Sequence, residues 1–146
     1  MKLKFSRQFC FSSATFAGEG YLFFQLKDPR VLASTLLWRS NGGRHYPPWS
    51  GRVRGALGLE EITSYFAHGA RQSAEPNPLS ERGWKTCLEL DRNRPTQVRL
   101  IMGLAAVPPG FTGVRDITRE AGAVLIHGLG GETLRVPCRV DFLAQG

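Results

Sequence analysis

Residues 38–66 read WRSNGGRHYPPWSGRVRGALGLEEITSYF, and the rest of the chain is arranged around this stretch. An NGG triplet at 41–43 and a PP pair at 47–48 lie between two apolar runs, 35–38 and 56–59. Consecutive glycines and prolines favour turns and irregular backbone, whereas short apolar runs are typical of strands. The stretch therefore predicts a loop held between two strands, which is where binding groups usually lie in a protein.

The predicted loop is rich in side chains that can bind a polar ligand. Indole rings offer flat apolar faces, guanidinium groups offer forked donors, and amide and imidazole groups both donate and accept hydrogen bonds. The apolar C–H face of a sugar ring packs well on an indole, while the sugar hydroxyls need such donors and acceptors. The candidate substrate-binding residues are Asn41, Arg44, His45, Trp49 and Arg52.

Each of these residues also has a plain structural interpretation. Loop arginines are often solvated or paired with surface acids, and a loop histidine can bond to backbone or solvent. Arg44 and Arg52 could bind sugar hydroxyls or, in a phosphorylated sugar, the phosphate. Trp38, at the end of an apolar run, is predicted to be a core residue, which leaves Trp49 as the better stacking candidate.

The rest of the chain reads mainly as short strands separated by turn residues. Apolar residues at helical spacing predict one short helix over 62–72, with Glu60 and Glu61 at its start, where the helix dipole favours negative charge. The nearly continuous apolar run in 31–39 predicts a strand covered on both faces. Strands are predicted over residues 19–27, 31–39, 53–59, 84–90, 97–107, 114–118, 123–127 and 133–142. This order of elements predicts an all-β fold, an antiparallel β-sandwich with one short helix.

Length and charge narrow the class of protein. The chain has 146 residues and a net charge of +7, which suits one domain with a basic surface. The positive charges do not cluster, and no nucleic-acid-binding motif accompanies them, so we predict no nucleic-acid partner and keep nucleic-acid binding as a third interpretation.

Residues 19–146 are predicted to form a single domain. Residues 1–18 are predicted to be a divergent or flexible N-terminal lead-in with no clear signal peptide.

The titratable residues outside the stretch indicate no metal site. Cys10, Cys87 and Cys138 are odd in number and far apart, which is typical of reduced thiols in a cytoplasmic protein. His68 and His127 have no partners nearby in sequence and are predicted to be structural. No apolar run reaches the roughly 18 residues of a membrane-spanning helix, so no membrane partner is predicted. We also predict no metal and no other cofactor.

The ordered run WRSNGGRHYPPW followed by LGLEEITSY resembles the C-terminal part of the aldose 1-epimerase family, whose fold is called galactose mutarotase-like. The similarity continues through YLFFQLKDPRVLASTLLW upstream and through PNPLS and TCLELDRNRPTQVRLIMG downstream, over roughly residues 19–107. The resemblance implies part of a large β-sandwich, a supersandwich, with its sugar site on a concave sheet face. It also implies that Glu60, in the segment GLE, is the catalytic base.

Interconversion of sugar anomers needs a base at the anomeric hydroxyl and an acid at the ring oxygen. The resemblance places the family's catalytic histidine in an upstream half that this sequence lacks, so His45 is not its equivalent. A homodimer that completes the site is one alternative. Another is a non-catalytic β-sandwich module that binds a carbohydrate or a protein through the same loop. The first interpretation is an aldose 1-epimerase-like protein whose partner is a small sugar, an aldose that is free or phosphorylated.

Overall fold

The computed structural model describes residues 9–144 of the chain. These residues form two compact units: one comprises the described residues up to Pro29 and from Leu90 onward, and the other is Arg30–Glu89. All sheets are antiparallel, and the described residues contain one α-helix. The predicted all-β fold class with one short helix is thus confirmed. The sandwich arrangement, like the single domain over 19–146, stays a prediction.

The first unit contains two three-stranded sheets. The strands of this unit are β1 (Cys10–Phe16), β2 (Tyr21–Lys27), β5 (Leu100–Ala106), β6 (Val114–Glu120), β7 (Ala123–Gly128) and β8 (Thr133–Pro137). One sheet has the order β1-β2-β5 and the other the order β6-β7-β8. Strand β1 pairs with β2 along its whole length, although the sequence pattern predicted no element there. The prediction for residues 1–8 lies outside the described residues.

The core of the first unit is built from both of its sheets. Strand β2 alternates between its two faces, so that Leu22, Phe24 and Leu26 point inward and are fully buried. They belong to one apolar cluster with residues from β6 and β7, such as Ile117 and Ile126. This burial is the main stabilising contribution in the unit.

Gly103 in β5 lies directly opposite Phe24, and the phenyl ring covers its α-carbon. A β-carbon at position 103 would lie 2.5 Å from Cζ of Phe24. Because Phe24 is fully buried, its ring has no room to move aside, and glycine is required at this point of the sheet.

The second unit is a two-stranded hairpin followed by short helices. Strands β3 (Ser34–Asn41) and β4 (Arg54–Ile62) flank the loop predicted from the sequence. Helix α1 (Gly69–Ala74) lies between 3-10 helices at Phe66–His68 and Ser80–Arg82. No helix among residues 9–144 is long and apolar enough to cross a membrane.

The predicted start of the helix at Glu60 and Glu61 is wrong. Both residues belong to β4, where they pair with Leu36 and Thr35 of β3. The Thr35 hydroxyl donates to Oε2 of Glu61 over 2.7 Å, a cross-strand bond that holds the segment extended. The hairpin ladder thus continues past the point where apolar spacing indicated a helix, and α1 begins later and is shorter than predicted.

Two strand predictions in this unit also need correction. Strand β3 is not covered on both faces, since Leu37 is 65% exposed in a sheet of two strands. The segment 84–90 pairs with no strand among the described residues. Its buried Thr86 instead donates to the Ser73 carbonyl over 2.8 Å and accepts from Asn77, so the segment is held by side-chain bonds to the region of α1.

Candidate functional site

The β3–β4 hairpin sets which side chains can meet. Trp38 pairs with Gly58, and Leu36 pairs with Glu60. Since side chains alternate along a strand, Trp38 and Glu60 project from the same face, whereas Glu61 projects from the other. A β-carbon at Gly58 would lie 3.3 Å from the Trp38 ring and 3.5 Å from Oε1 of Glu60. The glycine therefore lets the indole and the carboxylate lie side by side.

The loop between these strands, residues 42–53, is held by its own backbone. Gly42 N–H donates to the Val53 carbonyl over 3.0 Å, and Gly51 N–H donates to the Arg44 carbonyl over 2.8 Å. Nearer the tip of the loop, the N–H groups of Trp49 and Ser50 both donate to the Tyr46 carbonyl. The peptide bond Pro47–Pro48 is cis. The loop is thus closed by hydrogen bonds at its base and again near its tip, which orders the side chains it carries.

Gly42 has a position that only glycine can take. Its φ is +72°, in the left-handed region, and an added β-carbon would lie 2.8 Å from Nε of Arg54. That Nε donates to the Gly51 carbonyl over 3.1 Å, so Arg54 is not free to move away. The NGG triplet therefore allows the close approach of the two sides of the loop.

A cavity of about 230 Å³ opens where β3 enters the loop. This is below the roughly 300–1,000 Å³ of drug-sized ligand sites, so it suits one small ring. Its walls combine two indoles, an amide side chain, two arginines and glycine backbone. The lining residues are Trp38, Arg39, Ser40, Asn41, Gly42, Gly43, Arg44, Trp49, Gly51 and Val53.

The Arg44 guanidinium lies against both indoles of the cavity. Its Cζ is 5.2 Å from the centroid of the Trp38 ring and 5.0 Å from that of Trp49. The two rings meet edge to face, with centroids 6.4 Å apart and an angle of 74° between their planes. Cation–π attraction to two rings restricts where the guanidinium can go, although Arg44 as a whole is exposed. The cavity thus holds a positioned cation with donors left for a ligand.

The structure brings together only part of the predicted site. Asn41, Arg44 and Trp49 line the cavity, whereas His45, Arg52 and Glu60 do not. Nδ1 of His45 lies beside Gly51, 3.2 Å from where a β-carbon would be. Nη2 of Arg52 donates to the Pro48 carbonyl over 2.8 Å and so braces the loop.

Trp38 was predicted to be a core residue, and the structure corrects this. It is only half-buried and forms a wall of the cavity, since β3 belongs to a two-stranded sheet. The sequence did contain a signal for this role. Trp38 lies three residues before the NGG triplet, at the mouth of the predicted loop. That Gly58 lies opposite it and leaves one ring face open follows only from the hairpin register.

The remaining histidines and cysteines have ordinary surroundings. The His127 ring bonds to the Thr118 and Thr133 hydroxyls at 2.8 and 3.2 Å, and the His68 ring stacks on Tyr65 at 4.2 Å. None of the three cysteines forms a disulfide, and burial raises the pKa of the Cys138 thiol. In the part of the chain that the structure describes, no three His, Cys, Asp or Glu residues are grouped to hold a metal ion.

Comparison of this chain with known protein families, with curated proteins and with solved structures found no match.

Proposed function

We propose that the cavity beside the β3–β4 loop binds the ring of an aldose. The observation that carries the proposal is the placement of Trp38 and Trp49 as apolar walls next to the polar groups of Asn41 and Arg44. A sugar ring presents an apolar C–H face and polar hydroxyl edges, which is the same division of surface. The size of the cavity and the resemblance of the loop sequence to aldose 1-epimerases support the same class of ligand.

For catalysis, we propose that Glu60 removes the proton of the anomeric hydroxyl. As the C1–O5 bond breaks, the ring oxygen takes a proton from solvent water, which leaves the open-chain aldehyde. The C1–C2 bond then rotates, and the reverse proton transfers close the ring to the other anomer. A carboxylate can act as this base when its oxygen comes within hydrogen-bond reach of the hydroxyl. The position of Glu60 beside Trp38, across Gly58, supports the assignment. The proposal names no general acid, since His45 does not line the cavity.

A second candidate is a carbohydrate-binding module without turnover. One observation favours it: no Asp, Glu or His is among the lining residues of the cavity. Binding by indoles, an amide and a guanidinium needs no acid or base, whereas mutarotation does. The two candidates share the same ligand and differ only in the part played by Glu60.

The proposed setting is the cytoplasm, as a protein whose partner is a small sugar. Its support is that none of the three cysteines forms a disulfide, which suits a reducing compartment.

Isothermal titration of aldoses into the protein and a Trp49→Ala variant tests the proposed binding. We expect Trp49→Ala to weaken binding about 10- to 100-fold, because it removes one apolar wall and a contact that positions Arg44. Trp84→Ala is the matched control. Trp84 belongs to the same unit but lines a different cavity, so its loss should change the affinity less than about twofold.

Equal losses of affinity in the two tryptophan variants would show that the sugar binds elsewhere. Failure of every aldose tested, neutral or charged, to bind the unaltered protein would reject the proposed function.

A further inference from the structure

The loop and its flanks carry positive charge without any acid. Residues 38–54 contain four arginines and no aspartate or glutamate. Two of these arginines, Arg39 and Arg44, line the cavity. No acidic side chain is among the lining residues, so the two arginines give the cavity a positive potential, which attracts an anion and disfavours a cation. A neutral sugar would not need this arrangement.

Three of these four arginines are engaged by backbone carbonyls or by rings, and not by carboxylates. Arg52 and Arg54 each donate to a loop carbonyl. Arg44 lies against two indoles. Ion pairs with carboxylates within residues 9–144 are formed by Arg71, Arg119 and Arg135, among others. The four arginines of residues 38–54 form none there. The loop therefore keeps its positive charge available to a ligand.

Arg44 is the arginine best placed to use that charge. A cation–π contact uses the charge of the guanidinium and not its N–H donors, which stay available to a ligand. Those donors form a planar fork that matches a carboxylate or a phosphate, and hydrogen bonds between charged partners are roughly twice as strong as neutral ones. The two indoles also fix the position of the fork before the ligand arrives, which reduces the entropy lost on binding.

Resting on the proposed sugar site, we infer that the preferred ligand is a monosaccharide with a negatively charged substituent, bound through that substituent by Arg44. The ring of the sugar contacts the walls formed by Trp38 and Trp49, and its carboxylate or phosphate meets the edge of the guanidinium. Arg44 is then the residue that determines specificity at this site. The inference goes beyond the binding of an aldose, because it states which aldoses bind well.

Calorimetric titrations with four probes test the inference: glucose, glucuronate, glucose 6-phosphate and inorganic phosphate. We expect glucuronate or glucose 6-phosphate to bind at least about tenfold more tightly than glucose, equal to about 1.4 kcal/mol. The stronger of the two identifies the anionic group. Arg44→Gln should reduce the preference to less than about twofold, and Arg44→Lys, which keeps the charge but not the fork, should retain part of it.

Arg92→Gln is the matched control, since it removes the same charge from an exposed arginine outside residues 38–54. It should leave the preference unchanged. The tryptophan emission spectrum of each variant checks that the unit with the cavity is folded, because all three tryptophans lie within Arg30–Glu89.

The outcomes separate the inference from the proposed function. Equal affinity for glucose and both anionic sugars overturns the inference and leaves the sugar site standing. An anionic preference that survives in Arg44→Gln overturns the role of Arg44. If inorganic phosphate binds as tightly as glucose 6-phosphate, and neither glucose nor glucuronate binds, the cavity is an anion site without sugar contacts, which overturns both. If none of the four probes binds, both are also overturned.

Discussion

Replacing Glu60 with glutamine is expected to lower the rate of protein-catalysed mutarotation about 100- to 10,000-fold, the usual contribution of a general base. Glutamine keeps the size and the hydrogen-bonding shape of the side chain but cannot take the proton of the anomeric hydroxyl. Glu60 lies on the same face of the hairpin as Trp38, so a sugar against that indole would come near its carboxylate. The rate is followed by polarimetry of fresh α-glucose and α-galactose. Glucuronate and glucose 6-phosphate are tested as further substrates in the same way.

Glu61→Gln is the control for this substitution. Glu61 is adjacent in sequence, but it projects from the opposite face of the hairpin and bonds to Thr35. Its replacement should leave at least about half of the rate, since its side chain projects away from Trp38 and from the Glu60 carboxylate. Wild-type turnover that persists in Glu60→Gln would assign the base to another group. If the unaltered protein matches the spontaneous rate for every sugar, the catalytic proposal fails and the binding module remains.

Asn77→Ala is expected to lower the free energy of unfolding of the second unit by about 3 kcal/mol, because it leaves several buried polar groups without partners. The Asn77 side chain is 4% exposed and forms five hydrogen bonds. Its amide NH₂ donates to the carbonyls of Gln72 and Glu75 and to the Thr86 hydroxyl, and its Oδ1 accepts the N–H groups of Leu79 and Ser80. One side chain thus ties α1, the following turn and the segment around Thr86 together.

Denaturant unfolding followed by tryptophan fluorescence measures this loss, and the three tryptophans report only on the unit that contains Asn77. Asn93→Ala is the matched control. Asn93 is exposed, and its replacement should change the free energy of unfolding by less than about 0.5 kcal/mol. A shift in Asn77→Ala no larger than that of the control would show that the polar network contributes nothing to stability.

The strands that bury one face were well predicted from the sequence. The apolar pattern of 19–27 predicted β2, and those of 97–107 and 123–127 predicted β5 and β7, with boundaries that differ by a few residues. These strands carry the buried residues of the first unit, so their patterns reflect burial directly. Strand β1 was missed because its sequence, CFSSATF, is mostly polar or small and its residues are only partly buried.

The second unit was harder to predict because long-range pairs decide its structure. Glu60 and Glu61 have helix propensity, and apolar spacing after them is helical, but the register with β3 keeps them extended. Likewise, the turn residues that bound 84–90 indicated a strand, whereas the bonds of Thr86 to Ser73 and Asn77 hold the segment without a ladder. A single sequence shows the local preference and not the partner that overrides it.

The candidate site was predicted in outline. The turn residues around 41–43 and 47–48 correctly indicated a loop, and residue type alone selected Asn41, Arg44 and Trp49, which line the cavity. Residue type alone could not show that Arg52 lies outside the cavity, because its bond to the Pro48 carbonyl depends on how the loop folds. The role of Trp38 depends equally on having Gly58 opposite it, which requires the hairpin register.

The most direct test of the proposed site is a titration followed by NMR of the indole N–H signals of the ¹⁵N-labelled protein. The chain has three tryptophans, so three such signals are expected, and single Trp→Phe variants assign them. Adding glucose, galactose or glucuronate should shift the signals of Trp38 and Trp49, whose rings line the cavity, and leave that of Trp84 in place. Three unmoved signals at saturating sugar, or a shift confined to Trp84, would contradict the proposal that this cavity binds an aldose.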